Sequence, residues 1–207
     1  MTPELVIFDM DGTLVNSSLT IANAINHVRV KLGFEPMSQA YILKRVNDHT
    51  LNPAQTFYHA RKFEPHHEQW FSEYYTQHHA EELVLYEGIL PLLDKLKSRG
   101  IKLAVATNAY RQSTLESLRH LGIYNHFDTI ACYDDVTQGK PHPDMLHKIL
   151  TTLACSASKA HFVGDGSRDE IASKRANIPY TMVDWGFSDY RNAVDSVETL
   201  ESILLDP

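Results

Sequence analysis

Five short apolar runs dominate the pattern of this 207-residue chain, and each ends at a polar or glycine-containing segment. They span residues 5–8, 102–106, 129–132, 161–163 and 180–183. Near-continuous apolar runs of this length are typical of strands buried on both faces of a parallel sheet. Amphipathic patterns typical of helices separate the later runs, at 88–99, 113–121 and 144–153. This alternation predicts an α/β fold built on a doubly wound parallel sheet.

The interval between the first two apolar runs is too long for a single crossover helix. It holds no strand-like run and four further helical patterns, at 20–32, 39–46, 54–63 and 66–85. We therefore predict that an all-helical insert, residues 16–85, interrupts a core formed by residues 1–15 and 86–207. A core of that length is ordinary for a single domain.

Composition and charge exclude several classes of protein. Lys and Arg number 19 against 26 Asp and Glu, a net charge of −7, which argues against a nucleic-acid partner because such proteins carry basic surfaces. Cys132 and Cys155 lack the spacing of a zinc site, and we expect both thiols to be reduced. The N-terminus lacks the basic segment and apolar core of a signal peptide, and no apolar run has the length of a membrane span. We expect a cytoplasmic protein that does not contact membranes.

Chemically active side chains follow four of the predicted strands. In chain order they are Asp9, Asp11, Thr107, Asn108, Lys140, Asp165 and Asp169. Because the carboxyl ends of parallel strands meet at one edge of a sheet, we expect these groups to share one rim. Carboxylates are hard oxygen ligands that suit Mg²⁺, and a hydroxyl, an ammonium and backbone N–H groups suit phosphoryl oxygens. The sequence therefore predicts a magnesium site that receives a phosphoryl group.

The spacing of Asp9 and Asp11 indicates a reaction for this rim. Residues two apart in an extended segment point to the same side, so both carboxyls can reach one substrate. One carboxylate can attack phosphorus and form an aspartyl-phosphate. A second carboxyl can protonate the leaving alcohol and then deprotonate the attacking water.

These segments resemble the motifs of the haloacid dehalogenase superfamily, specifically its phosphatases with a helical cap inserted after the first strand. Residues 9–14, Asp-Met-Asp-Gly-Thr-Leu, are similar to the first motif, D-x-D-G-T-L. Thr107-Asn108 resembles the second motif, and Lys140, in Gly-Lys-Pro-His-Pro-Asp, the third. Residues 164–169, Gly-Asp-Gly-Ser-Arg-Asp, resemble the acidic fourth motif, G-D-x-x-x-D. Four motifs in the family's order make the resemblance specific, and it covers nearly the whole chain.

The resemblance implies a role for each acidic residue of the rim. Asp9 would be the nucleophile and a Mg²⁺ ligand, and Asp165 the second carboxylate on the metal. Asp11 would be the general acid and base and would give the metal its backbone carbonyl. Asp169 would not bind the metal directly and would instead hydrogen-bond to the metal's waters or to Lys140.

The resemblance also implies how phosphate is held and what the fold is. Thr107, the Asn108 amide and Lys140 would bind the phosphoryl oxygens, with Lys140 also holding the nucleophile. The fold would be a three-layer α/β/α sandwich whose helical cap closes over the site. A carboxylate at Asp11 favours phosphoester hydrolysis, because the dehalogenase members lack an acid there.

The resemblance leaves several substrates open. Residues 14–17 and 183–187 look most like the phosphoglycolate-phosphatase-type members, so a phosphoglycolate-type compound is one candidate among small phosphorylated metabolites. Residues 44–49, however, lack the glycine that those caps usually place facing the active site. Our hypothesis is that Arg45, Asn47 or His49 contacts the leaving group of the substrate.

Two alternative functions are compatible with the same residues. The same core could serve a phosphomutase acting on a sugar phosphate, or a non-catalytic protein that binds a phosphorylated ligand.

The insert is rich in histidine. Seven of the 12 histidines lie in it, and we expect them at the surface rather than in a zinc site, because adjacent pairs diverge on a helix. We expect the insert's aromatic residues at 70, 71, 74 and 75 to pack within it. Either a monomer or a homodimer is compatible with the sequence.

Overall fold

The computed structural model describes residues 2–46, 48, 50–185 and 192–206. Its helices and strands, in chain order, are β1 (Leu5–Phe8), β2 (Val15–Asn16), α1 (Ser18–Lys31), α2 (Gln39–Val46), α3 (Pro53–Tyr58), α4 (Pro65–Glu82), β3 (Val84–Leu85), α5 (Ile89–Ser98), β4 (Lys102–Ala106), α6 (Arg111–His120), β5 (Thr129–Ala131), α7 (Asp144–Thr152), β6 (Ala160–Gly164), α8 (Ser167–Ala176), β7 (Tyr180–Met182) and α9 (Val197–Leu205).

Five parallel strands form the central sheet in the order β5-β4-β1-β6-β7. The chain runs from β1 outward to β4 and β5, and then crosses to β6 and β7 on the other side of β1. This reversal of direction is the switch point at which open α/β sheets bind ligands. The predicted doubly wound sheet is confirmed, and all five predicted strands are present.

Alternate residues of β1 enter two separate cores, which produces three layers. Val6 and Phe8 pack with α5, α6 and α9 on one face of the sheet. Leu5 and Ile7 pack with α7 and α8 on the other face. Strands buried on both faces need apolar residues at every position, which is why β1 reads as an unbroken apolar run.

Helices α1 to α4 form a third core of their own, which includes Ile25, Val28, Ile42 and Phe57. The four predicted helices of this segment are therefore present, but two have different ends. The predicted helix at 54–63 ends at Tyr58 because His59 adopts the left-handed conformation, with a φ of 57°, and terminates it. The predicted helix at 66–85 ends at Glu82.

The prediction of an all-helical insert was wrong at its edges. The two chain crossings between the core and the helices lie side by side as β2 and β3, with Val15 opposite Leu85 and Asn16 opposite Val84. Pairing lets backbone N–H and C=O groups of the two crossings hydrogen-bond to each other. Strands of two residues carry too little periodicity to be recognised in a sequence.

Helices α8 and α9 were not predicted, although α8 begins directly after the fourth motif. Both cysteines are free thiols, as expected. Across the part of the chain that the structure describes, no helix combines the length and apolarity needed to cross a membrane.

Candidate active site

The register of the sheet brings the predicted rim together. Phe8, the last residue of β1, lies opposite Val105 of β4 and Val163 of β6. The next residue, Asp9, donates its backbone N–H to the Val163 carbonyl at 2.9 Å. Residues that follow β4 and β6 therefore flank Asp9 at the carboxyl edge of the sheet.

Lys140 links two of the rim's carboxylates. Its Nζ lies 2.5 Å from an oxygen of Asp9 and 2.6 Å from an oxygen of Asp169. All three side chains are buried. Burial lowers the pKa of Lys140, but the charges of Asp169 and Asp9 outweigh it and leave that pKa above its ordinary value. The ammonium is therefore charged, and it crosslinks the end of β1 and the first turn of α8 with the segment before α7.

Three carboxylates of the rim form a group that can hold a metal ion. One oxygen each of Asp9, Asp165 and Asp169 lies within 4.8 Å of the others. Burial raises the pKa of Asp165 well above its usual range, and the charges of Asp9 and Asp169 raise it further. Burial likewise raises the pKa of Asp169 to about 6, although Lys140 opposes the shift. One ammonium does not balance three carboxylates, so a divalent cation with a preference for oxygen fits this donor set.

The turn after Asp11 needs a glycine. Gly12 has a φ of 84°, and a Cβ there would lie 2.1 Å from an oxygen of Asp165. Both the left-handed backbone and the close approach exclude a side chain. This explains why a glycine follows the two acids of the first motif.

The Asn108 side chain fixes the backbone of Lys140. Its Nδ2 donates to the Lys140 carbonyl at 2.9 Å, and its Oδ1 accepts the Lys140 N–H at 2.8 Å. Gly139 leaves room for this pairing, because a Cβ there would come within 2.7 Å of the Asn108 Oδ1. The sequence suggested only the backbone amide of Asn108 as a functional group, so this role of its side chain was missed.

Thr107 directly follows β4, is buried, and lines the same cavity as Asp9. Its backbone N–H donates to the Ala131 carbonyl at 3.0 Å, and its Oγ1 accepts the Ala109 N–H at 3.1 Å. Helix α6 begins only at Arg111, so Asn108 precedes that helix by a short loop and does not lie at its start.

Asp11 contacts the helical segment. The hydroxyl of Tyr75, on α4, donates to an oxygen of Asp11 at 3.4 Å. Burial raises the pKa of Asp11, whereas hydrogen bonds from Ser17 and Tyr75 and the charge of Lys140 lower it, and the net shift is upward. A raised pKa favours the protonated form, which is the form that a general acid needs.

A cavity of about 420 Å³ lies between the rim and helices α1 to α4. Its core side includes Asp9, Asp11, Thr107, Asn108, Lys140, Arg168 and Asp169. Its helical side includes Ile21, Ile25, Val46, Pro53, Phe57, Tyr58, Phe63, His67, Glu68, Phe71, Ser72 and Tyr75. The volume lies within the range of roughly 300–1,000 Å³ found for small-molecule sites. The predicted rim therefore opens into a space that a small substrate can fill.

The structure changes what was expected of the insert's side chains. Arg45 stacks its guanidinium 3.5 Å from the centre of the Tyr41 ring and is absent from the described lining of the cavity. Asn47 and His49 lie outside the described residues. His67 is buried and lines the cavity, so the expectation of surface histidines was wrong there.

Phe71 and Tyr75 of the insert pack against buried cores, as expected of its aromatic residues, and both have a second role. Phe71 and Tyr75 line the cavity, with their rings stacked at 6.1 Å. Arg168 of the fourth motif lines the cavity too, although the motif assigns it no role. His67, Phe71 and Tyr75 are spaced four residues apart on α4 and therefore share one helix face. That spacing was the signal in the sequence that could have identified the face lining the cavity.

The fold and the carboxylate rim define a hydrolase class, and comparison with known families agrees. The model of the haloacid dehalogenase-like hydrolase family matches residues 6–183. The chain therefore belongs to this family.

Within the family, the chain is a phosphatase. It is 29% identical to the pyrophosphatase PpaX of Halalkalibacterium halodurans, over 97% of this chain and 94% of that protein. It is 30% identical to the phosphoglycolate phosphatase of Rhodospirillum rubrum, over 90% of this chain and 81% of that protein. The crystal structure of a predicted phosphatase from Clostridium acetobutylicum superposes with a TM-score of 0.86 at 22% identity, covering 100% of both chains, and it shares the fold.

Proposed function

We propose that this phosphatase uses Mg²⁺ to hydrolyse the phosphate ester of a small metabolite through an aspartyl-phosphate on Asp9. The observation that carries the proposal is the contact set of Asp9. Its carboxylate lies against Lys140 and within 4.8 Å of the Asp165 and Asp169 oxygens. Asp11, which is hydrogen-bonded to Tyr75, follows two residues later.

Asp9, Asp165 and the Asp11 backbone carbonyl would hold the Mg²⁺. The ion would neutralise charge on the phosphoryl oxygens and on the carboxylates around it. Asp169 would act through Lys140, which it contacts. The buried position of these oxygens and their excess of negative charge support this assignment.

In the first half of the reaction, a carboxylate oxygen of Asp9 attacks phosphorus. The new oxygen–phosphorus bond forms as the bond to the leaving oxygen breaks, and Asp11 donates its proton to that oxygen. Lys140, 2.5 Å from Asp9, keeps the attacking carboxylate in place and offsets charge on the phosphoryl group. The products of this half are an alcohol and Asp9 bearing the phosphoryl group.

In the second half, water attacks the phosphorus of the aspartyl-phosphate and Asp11, now a carboxylate, accepts its proton. The Asp9–phosphorus bond breaks, which releases phosphate and restores both carboxyls. The Thr107 hydroxyl and the Asn108 backbone N–H would bind the phosphoryl oxygens in both halves, since both residues line the cavity next to Asp9.

Residues 16–85 would act as a cap domain over a core of 1–15 and 86–207. The contact of Tyr75 with Asp11 and a hydrogen bond between Tyr110 and Glu68 join the two across the cavity. Closure over the cavity would exclude bulk water while the ester is cleaved.

The substrate class is that of small phosphate esters, and the named relatives suggest phosphoglycolate and pyrophosphate as first compounds to test. The specificity role suggested for Arg45, Asn47 and His49 stays a prediction. Replacing each with Ala should alter kcat/KM for some substrates more than for others. Equal losses on every substrate, or none, would contradict that role. Cytoplasmic location and a monomeric or homodimeric state also remain predictions.

A screen of small phosphorylated metabolites with and without Mg²⁺ tests the proposal. The panel includes a sugar phosphate with its bisphosphate, which would reveal mutase activity as an isomer rather than as free phosphate. Asp9→Asn is the blank. We expect phosphate release by the native protein and none by the variant. Release that Asp9→Asn leaves unchanged, or binding of these compounds without any release, would overturn the proposal.

A further inference from the structure

The wall of the cavity opposite the catalytic rim is built largely from apolar and aromatic side chains. Four of the helical segment's elements contribute, through Ile25 of α1, Val46 of α2, Phe57 of α3 and Phe71 of α4. Ile25 and Phe57 belong to the core of the helical segment and are almost fully buried. These four side chains offer a leaving group a continuous apolar contact surface.

Positive charge is scarce among the described residues that line this cavity. Among the described lining residues, the Lys and Arg side chains are Lys140 and Arg168. Lys140 is already paired with Asp9 and Asp169. The Arg168 guanidinium faces the negative charges of Asp169 and Asp48. A negatively charged leaving group would therefore enter a space whose cations already have anionic neighbours.

Among the described residues, the polar groups on the helical side of the cavity do not supply a cation either. His67 accepts the Glu64 N–H on its Nδ1 at 3.2 Å, and burial lowers its pKa, so the imidazole is neutral near pH 7. Glu68 adds a carboxylate to the lining. Placing an unpaired anion in such a site costs free energy, because burial of a charge is unfavourable without a partner.

Two further aromatic rings line the cavity on the core side. Tyr110 and Tyr133 both line the cavity, with their centroids 5.7 Å apart in an edge-to-face arrangement. Both remain exposed, at 43% and 47%. Exposed aromatic rings beside a site offer a stacking surface for a planar apolar group.

We infer that the substrate's leaving group is uncharged and largely apolar, and that it shares the cavity of about 420 Å³ with the phosphoryl group. This inference rests on the proposed phosphatase function and specifies its substrate class. It separates the chain from its relatives named for phosphoglycolate and pyrophosphate, whose leaving groups carry negative charge.

Four compounds with defined leaving groups test the inference: 2-phenylethyl phosphate, ethyl phosphate, phosphoglycolate and pyrophosphate. The first two release similar alcohols and differ by the ring, so their comparison isolates the contribution of the apolar wall. We expect kcat/KM for 2-phenylethyl phosphate to exceed that for ethyl phosphate by about tenfold or more. We expect phosphoglycolate and pyrophosphate to be poorer substrates than 2-phenylethyl phosphate by at least the same factor.

Phe57→Ala and Phe34→Ala form a matched pair of variants. Phe34 packs against the Arg29 guanidinium and the His59 ring and is absent from the described cavity lining. Phe57→Ala should reduce the ratio of kcat/KM between 2-phenylethyl and ethyl phosphate, whereas Phe34→Ala should preserve it. A ratio of two substrates on one sample does not depend on how much of the protein is folded.

Phe71→Lys adds a cation to the same wall. It should raise kcat/KM for phosphoglycolate relative to ethyl phosphate by about tenfold, because the added charge pairs with the carboxylate. An unchanged ratio would contradict the inference, as would a native preference for phosphoglycolate or pyrophosphate over 2-phenylethyl phosphate. Those outcomes leave the phosphatase function intact. Absence of Asp9-dependent turnover on all four compounds and on the metabolite panel would instead refute that function and, with it, this inference.

Discussion

The Asn108 side chain holds the backbone of Lys140 by two hydrogen bonds, one to its carbonyl at 2.9 Å and one from its N–H at 2.8 Å. The Lys140 ammonium in turn contacts Asp9 and Asp169. The position of the proposed nucleophile therefore depends on a side chain that belongs to a different strand end. Precision of this kind is what a buried nucleophile and its counter-ion require.

Asn108→Ala should lower kcat/KM by roughly 10–100-fold, the usual cost of losing a group that orients a catalytic residue. Asn26→Ala is the control, because the Asn26 side chain makes the same two bonds to Met37, both at 2.8 Å, far from Lys140. Thermal unfolding of both variants separates loss of fold from loss of positioning. An equal loss of activity in the two variants at matched stability would contradict the assignment.

Gly12→Ala should damage the proposed metal site more than it damages the fold. Gly33→Ala is matched to it, since Gly33 also has a positive φ, 78°, but nothing lies within 4 Å of its missing Cβ. Both variants pay about 1–2 kcal/mol for a left-handed alanine. Only Gly12→Ala also forces Asp165 to move, so it alone should need much more Mg²⁺ for half-maximal activity. The prediction fails if the two variants show the same Mg²⁺ dependence.

Tyr75→Phe removes the hydroxyl that donates to Asp11 at 3.4 Å. That hydrogen bond favours the ionised carboxylate, so its loss should raise the pKa of Asp11 further above the usual value. We expect kcat to fall by roughly 2–10-fold, corresponding to about 0.5–1.5 kcal/mol, with the limb of the pH–rate profile due to Asp11 displaced to higher pH.

Tyr74→Phe provides the comparison for that measurement. Its hydroxyl donates to Glu82 at 3.1 Å, and Tyr74 is absent from the described cavity lining. The pH–rate profile of Tyr74→Phe should match that of the native protein. A Tyr75→Phe profile that also matches it would show that the hydroxyl does not influence Asp11.

His161 should make the fold less stable in mild acid. Burial lowers the pKa of His161 in the folded chain, where its Nε2 lies 2.8 Å from the Thr181 hydroxyl. The unfolded chain therefore binds the proton more tightly, and the free energy of unfolding should fall as the pH drops below about 6.5. Urea titrations at pH 7.5 and 5.5 measure this loss.

His161→Gln should reduce that loss of stability, because the substituted side chain does not titrate. The exposed His147 on α7 provides a control substitution, His147→Gln. In that variant we expect the free energy of unfolding to fall between pH 7.5 and pH 5.5 by as much as in the native protein. If the free energy of unfolding of His161→Gln falls between pH 7.5 and pH 5.5 by as much as that of the native protein, other groups cause the pH dependence.

The sequence predicts the parts of the molecule that depend on local pattern. The apolar run of β1 matches its strand at both ends, since burial on two faces leaves a strong signal. Asp9 and Lys140 could be placed at one rim because the carboxyl ends of parallel strands meet. The pairing of Val15 with Leu85 could not be predicted, because it depends on how two distant crossings lie after folding.

The same distinction holds within the candidate site. Motif residues were recognisable one by one, whereas the contact of Tyr75 with Asp11 depends on how α4 is placed over the core. Tyr75 does pack in a core, as an aromatic residue on a helix usually does, but the sequence holds no signal for the contact of its hydroxyl with Asp11. The cavity, and with it the substrate class, emerges only when the helical segment and the rim are brought together.

Direct trapping of the aspartyl-phosphate tests whether Asp9 carries the phosphoryl group during turnover. Asp11→Asn should slow hydrolysis of the intermediate, while p-nitrophenyl phosphate, whose leaving group needs little protonation, should still form it. After acid quenching in the presence of Mg²⁺, mass spectrometry of the peptide containing Asp9 should show the added mass of one phosphoryl group on that residue. Native protein that releases phosphate while no adduct forms on Asp9 in Asp11→Asn, or an adduct on another residue, would contradict the account.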